Sequence, residues 1–182
     1  KLRDARLNVA LLVAAADIGG LWSLSKVTQA LSAFGVVAIK TAVNHLLMRA
    51  AGAGELALRD ESRPALDCGF TVFGVGKLGA SELNYSSDID LIALFDEEKA
   101  SYTGSKSAQD LFVRLTRELV KMLQKRTADG YVFRMDLRLR PDTGSSPLAM
   151  SMAAAECSTA ETQRSAVSSK PPSPPLPRRH PR

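Results

Sequence analysis

The sequence predicts an α+β domain that follows a helical segment. Apolar residues recur at helical spacing through the first fifty positions, and short alternating patterns typical of strands begin near residue 70. A further helical pattern lies between the second and third strand patterns. The resulting order of helix, helix, strand, strand, helix, strand favours a sheet with helices packed on it, either α+β or mixed α/β.

The helical segment contains two predicted helices. Residues 4–18 form the first, and Gly19 and Gly20 supply the backbone conformations that end a helix. Ser23 or Ser25 caps the second, which runs to about residue 51. One face of the second helix carries apolar side chains at helical spacing, namely Val27, Leu31, Phe34, Ala38 and Ala42. His45 stands alone beside two leucines, so we interpret it as a structural or surface residue and not as a metal ligand.

Three strands and one helix are predicted beyond a loop at 55–68. The strands cover residues 70–73, 89–95 and 132–140, and the third alternates between polar and apolar residues without interruption. Ser105 or Ser107 opens the helix, which continues to about residue 126. Its apolar face carries Leu111, Leu115, Leu119 and Met122.

The net charge of +5 does not indicate a nucleic-acid partner once its distribution is considered. Residues 1–150 hold 19 Lys and Arg against 17 Asp and Glu, a net charge of +2, and the last 32 residues hold 5 against 2, a net charge of +3. Six Phe, three Tyr and one Trp do not suggest a basic and aromatic platform that stacks single-stranded bases. We therefore expect no nucleic-acid partner.

Cysteine usage and hydropathy favour a cytoplasmic protein. Cys68 and Cys157 are far apart and outside any CxxC pattern, which predicts neither a disulfide nor a zinc site. Charged residues such as Asp17, Lys26 and Lys40 interrupt the long apolar stretches, so we expect no membrane-spanning segment.

Two aspartates on the second strand are the strongest chemical signal. Residues two apart in a strand point to the same side, about 6–7 Å from each other, so Asp88 and Asp90 present two carboxylates on one face. Like charges at that range repel unless a cation lies between them. Oxygen ligands suit Mg²⁺, and a pair of such ions can activate an attacking oxygen and stabilise a leaving one. The pattern predicts a metal site at Asp88 and Asp90.

The third predicted strand offers a complement to these carboxylates. Its polar face carries Arg134, Asp136, Arg138 and Arg140, and its apolar face carries Phe133, Met135, Leu137 and Leu139. One aspartate among three arginines suits a cleft for metal and phosphate, with Asp136 as the third metal ligand. The alternative interpretation is an ion-pair ladder on a solvated sheet face.

A glycine motif, GVGKLG at residues 74–79, follows the first strand. Glycine permits close backbone approach, so the amide groups of this turn could contact phosphate while Lys77 supplies a point charge. The alternative is a tight turn with a solvated lysine. A P-loop is excluded because Leu78, not Ser or Thr, follows the lysine.

GVGKLG also fits the GxGxxG pattern of a dinucleotide-binding fold, with Asp96 about twenty residues further on. Three observations disfavour that fold. The segment ASELNYSSD is too short for a crossover helix, the next strand carries two aspartates where a buried parallel strand is apolar, and no second β–α–β unit follows.

The motifs GVGKLGASELNYSSDIDLIALFD and DGYVFRMDLRLRPDTGSSPLAMS resemble those of a known family. A glycine turn, a short helix, a strand with two aspartates and a later strand with a third are typical of the DNA polymerase beta-like nucleotidyltransferase superfamily. Within it, both motifs closely resemble glutamine synthetase adenylyltransferase, and the preceding helices are similar as well. The resemblance covers about residues 1–155 and implies a nucleotidyltransferase mixed sheet behind a helical segment.

The resemblance implies an enzyme that transfers AMP from ATP to a tyrosine of glutamine synthetase and removes it with inorganic phosphate, releasing ADP. It implies that Asp88, Asp90 and Asp136 are catalytic: Asp88 and Asp90 bind Mg²⁺, and Asp136 completes the metal site or orients the attacking group. It further implies nucleotide or phosphate contacts at Gly76, Lys77, Gly79, Ser87, Arg138 and Arg140. Glutamine synthetase is the implied protein substrate, and a PII-type signalling protein is an implied partner.

The family has two similar catalytic halves, and two stretches here favour the amino-terminal, adenylyl-removing half. ELNYSSDID at 82–90 and FRMDLR at 133–138 look like the patterns of that half. We therefore expect removal of AMP in preference to its addition. A non-catalytic remnant of the fold is the alternative.

Three regions are predicted from these patterns: a helical segment at 1–54, a nucleotidyltransferase domain at 55–155 that is incomplete at its carboxyl end, and a tail at 156–182. The tail has six prolines among its last twelve residues and almost no large apolar side chains, so we expect disorder. Since the sequence begins without Met and the resemblance stops near residue 155, a truncated or frameshifted piece of a larger protein is expected.

Overall fold

A computed structural model describes residues 1–136 and 148–155. Its first two helices agree closely with the sequence patterns: α1 spans Leu2–Ile18 and α2 spans Leu24–Gly52. Gly20, just beyond α1, has a φ of 66°, the left-handed conformation expected where a helix ends. The Ser23 hydroxyl accepts a hydrogen bond from the Lys26 amide at 3.4 Å, so Ser23 is the cap of α2.

The strands form a mixed sheet centred on one of them. Strand β1 (Phe70–Val75) pairs antiparallel with β2 (Ile89–Phe95), from Phe70 opposite Phe95 to Val75 opposite Asp90. Strands β3 (Met135–Asp136) and β4 (Met150–Ser151) both pair parallel with β2, at its first and last residues respectively. The antiparallel pairing of β1 with β2 excludes a parallel β–α–β dinucleotide unit at GVGKLG.

Two further helices follow the strands. Helix α3 is a single turn at Gly76–Gly79, and α4 spans Ala108–Gln124. The Ser107 hydroxyl accepts from the Asp110 amide at 3.0 Å and caps α4. Leu123 of α4 is fully buried, whereas Met122, predicted to line the apolar face, is only partly buried against the core.

One hydrophobic core joins the helical segment to the sheet. It includes Leu46 and Leu47 of α2, Ile89 and Phe95 of β2, and Phe112 of α4. The rings of Phe70 and Phe95 each stack on Phe112 with centroids 5.2 Å apart. Residues from both predicted regions, 1–54 and 55–155, therefore pack against each other; the boundary between them stays a prediction.

The predicted third strand is displaced. The sequence predicted a strand from residue 132, but the strand begins at Met135. The amides of Val132 and Phe133 donate instead to the carbonyl of Leu123, at 2.9 and 3.1 Å, and so satisfy an acceptor at the end of α4. Residues 137–140 of the predicted strand lie outside the described residues, as do Cys157 and the predicted tail at 156–182.

Helix α2 is long and apolar enough to cross a bilayer by length and composition alone, which the sequence-based expectation did not anticipate. Half of the apolar stretch of this helix is buried inside the domain. Its buried residues include Ala38, Ala42 and Leu47, which belong to the core shared with the sheet. Its apolar character is therefore explained by a core helix.

Candidate active site

Strands β2 and β3 bring two carboxylates together. Asp90 and Asp136 occupy directly paired positions of these parallel strands. Paired residues on neighbouring strands project to the same face, and the strands lie about 4.8 Å apart. Both residues are partly buried, while the alternate residues of β2, Ile89, Leu91 and Ala93, are buried on the opposite face. The alternation predicted for this strand is confirmed.

Asp88 lies immediately before β2 and is exposed. Its Oδ1 atom accepts a hydrogen bond from Arg134 Nε at 2.6 Å, and the two side chains form an ion pair. Arg134 Nη2 donates in addition to the carbonyl of Ser86 at 2.8 Å. Arg134 was predicted to lie on the polar face of the third strand but was given no individual role, and it contacts a predicted metal ligand directly.

The glycine turn lies against the carboxylates. Gly76 has a φ of 56°, a conformation that L side chains rarely adopt, and a Cβ atom at this position would collide with Asp90 Oδ2. A Cβ atom on Gly79 would approach the carbonyl oxygen of Gly74 to 2.8 Å. The two glycines are thus needed for close packing of α3 against β1 and β2. Lys77 is exposed and makes no ion pair within residues 1–136 and 148–155.

Helices α1 and α2 hold the loop that leads into β2. The hydroxyl of Ser32 on α2 is buried and accepts a hydrogen bond from the Leu83 amide at 3.0 Å. Tyr85 donates from its hydroxyl to Asp17 Oδ2 on α1 at 3.2 Å. Desolvation, followed by the charge and hydrogen bond of Asp17, raises the pKa of Tyr85. The helical segment therefore positions the loop carrying Asp88.

Ser87, predicted to contact phosphate, is engaged within this loop. Its hydroxyl donates to the side-chain oxygen Oδ1 of Asn84 at 2.7 Å and accepts from the backbone amide of Asn84 at 3.2 Å. The Asn84 side chain also accepts from the Ser86 amide at 3.2 Å. These bonds close a tight turn, and a phosphate contact by the Ser87 hydroxyl would have to replace its bond to Asn84.

The donor atoms suit a hard divalent cation, although the ligands are not gathered into one cluster. Among the described residues, no three His, Cys, Asp or Glu side chains converge as a metal-binding group. Asp90 and Asp136 form a carboxylate pair, and Asp88 is held by Arg134. Because Mg²⁺ binds through one or two carboxylates together with waters and substrate phosphate, this pair fits the ion.

Sequence patterns predicted a site at the aspartates and the glycine turn, but not the hydrogen bonds that Arg134 and Ser32 make beside them. Arg134 was visible as the arginine two positions before Asp136 on the same predicted face. Ser32 gave only a weak signal, a lone hydroxyl between Leu31 and apolar residues. The predicted contacts Arg138 and Arg140 lie outside the described residues.

A mixed sheet that carries paired carboxylates beside a glycine turn, behind a helical segment, is the fold of a nucleotidyltransferase, as predicted. The family model described as glutamate-ammonia ligase adenylyltransferase matches residues 1–163. The chain belongs to this family.

Similar proteins agree with this assignment. A bifunctional glutamine synthetase adenylyltransferase/adenylyl-removing enzyme from Xanthobacter autotrophicus is 53% identical over 154 residues. Proteins of the same name from Bradyrhizobium sp. strain ORS 278 and Rhizobium meliloti are 51% and 48% identical over 154 and 155 residues. Each match covers 85% of this chain but only 16% of the relative's length.

Proposed function

We propose that this chain forms a metal-dependent nucleotidyl-transfer site that acts on the AMP group of an adenylylated tyrosine in glutamine synthetase. The observation that carries the proposal is the pairing of Asp90 with Asp136 beside the Gly76 turn. The names of the relatives support the substrate, since each includes glutamine synthetase and both adenylyl transfer and adenylyl removal.

The proposed roles follow from charge and position. Asp90 and Asp136, together with Asp88, would hold Mg²⁺, which when bound neutralises negative charge on the reacting phosphates. The exposed amine of Lys77 would contact phosphate as a point charge. Gly76 and Gly79 would allow the backbone to approach the nucleotide, and Ser87, Arg138 and Arg140 remain candidates for the same contacts.

The proposed direction is removal of AMP. It is supported by the stretches ELNYSSDID and FRMDLR, which resemble the adenylyl-removing half of the family. An oxygen of inorganic phosphate attacks the adenylyl phosphorus, the bond from that phosphorus to the tyrosine oxygen breaks, and tyrosinate leaves. The products are ADP and unmodified tyrosine. Lys77 or Arg138 would hold the incoming phosphate.

The same proposal includes Mg²⁺ as the metal, a PII-type protein as the regulatory partner and a cytoplasmic location.

The test is to graft residues 1–155 into the corresponding region of a full-length relative. The chimera is incubated with adenylylated glutamine synthetase, Mg²⁺ and inorganic phosphate, and ADP release is followed. Phosphate-dependent ADP release that an Asp90→Asn chimera lacks would support the proposal. A chimera that adenylylates glutamine synthetase through this site, without releasing ADP from the modified enzyme, would show that the direction is wrong.

A further inference from the structure

Arg134 joins the two segments that carry the carboxylates. Its carbonyl accepts from the Ile89 amide at 2.9 Å, and its side chain reaches back to Asp88 Oδ1 and the Ser86 carbonyl, at 2.6 and 2.8 Å. One residue therefore fixes the start of β2 through its backbone and the residues before β2 through its guanidinium. Arginine suits this task because its planar fork presents several donors in fixed directions.

The contact to Asp88 uses only one of its two carboxylate oxygens. Nε bonds to Oδ1, and the second donor of the fork goes to a backbone carbonyl instead of to Oδ2. An ionised carboxylate has about four lone-pair positions on its two oxygens. The arrangement therefore orients the Asp88 side chain through Oδ1, and among residues 1–136 and 148–155 no hydrogen bond occupies Oδ2, which could bind a cation.

Resting on the proposed function, we propose that Arg134 is a positioning residue for metal binding, which orients Asp88 through Oδ1 so that Oδ2 can bind the ion. Ligating carboxylates are commonly held by a hydrogen bond from a neighbouring residue, and loss of such a partner weakens metal binding roughly 10- to 100-fold. The contrary possibility is that Arg134 competes with the metal for Asp88, in which case its removal strengthens metal binding.

Electron paramagnetic resonance measures Mn²⁺ binding to the full chain. It distinguishes positioning of Asp88 by Arg134 from competition between Arg134 and the metal, without an activity assay. Arg134→Gln should weaken Mn²⁺ binding by roughly 10- to 100-fold relative to the unsubstituted chain. The matched control is Arg126→Gln, since Arg126 is exposed and makes no hydrogen bond or ion pair within the described residues. It should leave Mn²⁺ affinity unchanged.

A double-mutant cycle tests whether Arg134 acts through Asp88. In an Asp88→Asn background, Arg134→Gln should change Mn²⁺ affinity by less than about 2-fold, because the group it orients is already lost. A repeat of the full loss in that background would overturn the proposal. If the glutamine variant fails to fold by circular dichroism, Arg134→Lys replaces it. Lysine keeps the charge but cannot span both acceptors, so weakened binding supports the proposal and unchanged binding overturns it.

The outcomes also distinguish this inference from the proposed function. Equal or tighter Mn²⁺ binding by Arg134→Gln would overturn the positioning role and leave the metal site intact. Absence of Mn²⁺ binding by the unsubstituted chain at millimolar concentrations would overturn both, beginning with the assignment of the aspartates.

Discussion

Asp88 and Asp90 are two residues apart but differ in their surroundings. Asp88 is exposed and ion-paired with Arg134, whereas Asp90 is partly buried and lies opposite Asp136 in the sheet. An exposed ion pair contributes only about 0–1 kcal/mol to stability, and a carboxylate beside another is destabilised by repulsion when no cation is present. Their substitutions should therefore affect folding and metal binding differently.

We expect Asp90→Asn to keep or slightly raise the melting temperature of the metal-free chain and to abolish the stabilisation that Mg²⁺ confers. Asp88→Asn should cost at most about 1 kcal/mol of unfolding free energy and weaken the Mg²⁺ effect. Thermal melting with and without Mg²⁺ measures both quantities. Full Mg²⁺ stabilisation of either variant would contradict the metal assignment.

Gly76→Ala tests the close contact between the glycine turn and Asp90. The left-handed conformation costs an L side chain about 1–2 kcal/mol, and the added methyl group would displace the Asp90 carboxylate. The unfolding free energy should fall by at least that amount, as measured by urea denaturation. Gly52→Ala is the matched control, because a Cβ atom on Gly52 meets nothing within 4 Å and its φ is not positive. A loss no greater than that of the control would show that the turn is not constrained.

At the scale of elements, caps and alternation predicted most of the secondary structure. Ser23 and Ser107 cap α2 and α4, and the bounds of β2 agree with the prediction. The predicted start of β3 was wrong. The alternating pattern includes Val132 and Phe133, but their backbone amides donate to the Leu123 carbonyl at the end of α4. A local sequence pattern cannot show which distant carbonyl will accept a hydrogen bond from a given backbone amide.

The same limit applies to the site. Strand geometry alone predicts that Asp88 and Asp90 share a side, but β2 begins at Ile89, and Asp88 lies just before it. The pairing of Asp90 with Asp136 and the bond from Arg134 to Asp88 depend on the register between β2 and β3. Register is set by packing between residues that lie 46 positions apart in the chain, which no local pattern records.

Ser32→Ala tests whether α2 holds the loop before β2. It removes the hydroxyl that accepts from the buried Leu83 amide, and an unsatisfied buried donor costs about 1–3 kcal/mol. We expect that loss in urea denaturation, together with faster hydrogen exchange at the Leu83 amide. Ser25→Ala, on an exposed part of the same helix, should change stability by less than about 0.5 kcal/mol. Equal effects of the two substitutions would contradict the role of Ser32.

For the whole molecule, the shared core predicts that the helical segment and the sheet unfold together. Leu47 of α2 and Leu119 of α4 belong to one cluster of buried residues. Trp22 fluorescence, which reports on the helical segment, and hydrogen exchange of the β2 amides should therefore give one transition. Leu47→Ala and Leu119→Ala should each cost about 2–5 kcal/mol and shift both signals together. Two separate midpoints would show that residues 1–54 fold independently.

The positions of the partners of β2 along the chain affect the order in which the sheet can form during translation. Asp88 leaves the ribosome 46 residues before Arg134, and β2 can pair with β1 well before β3 has been synthesised. Ribosomes add about 5–20 residues per second, and domains begin to fold while synthesis continues. For several seconds, therefore, the nascent chain contains Asp88 and Asp90 but does not yet contain Arg134. The pairing of β2 with β3 is completed only when residues 134–136 emerge, so a translational pause before them would leave Asp88 without its ion-pair partner.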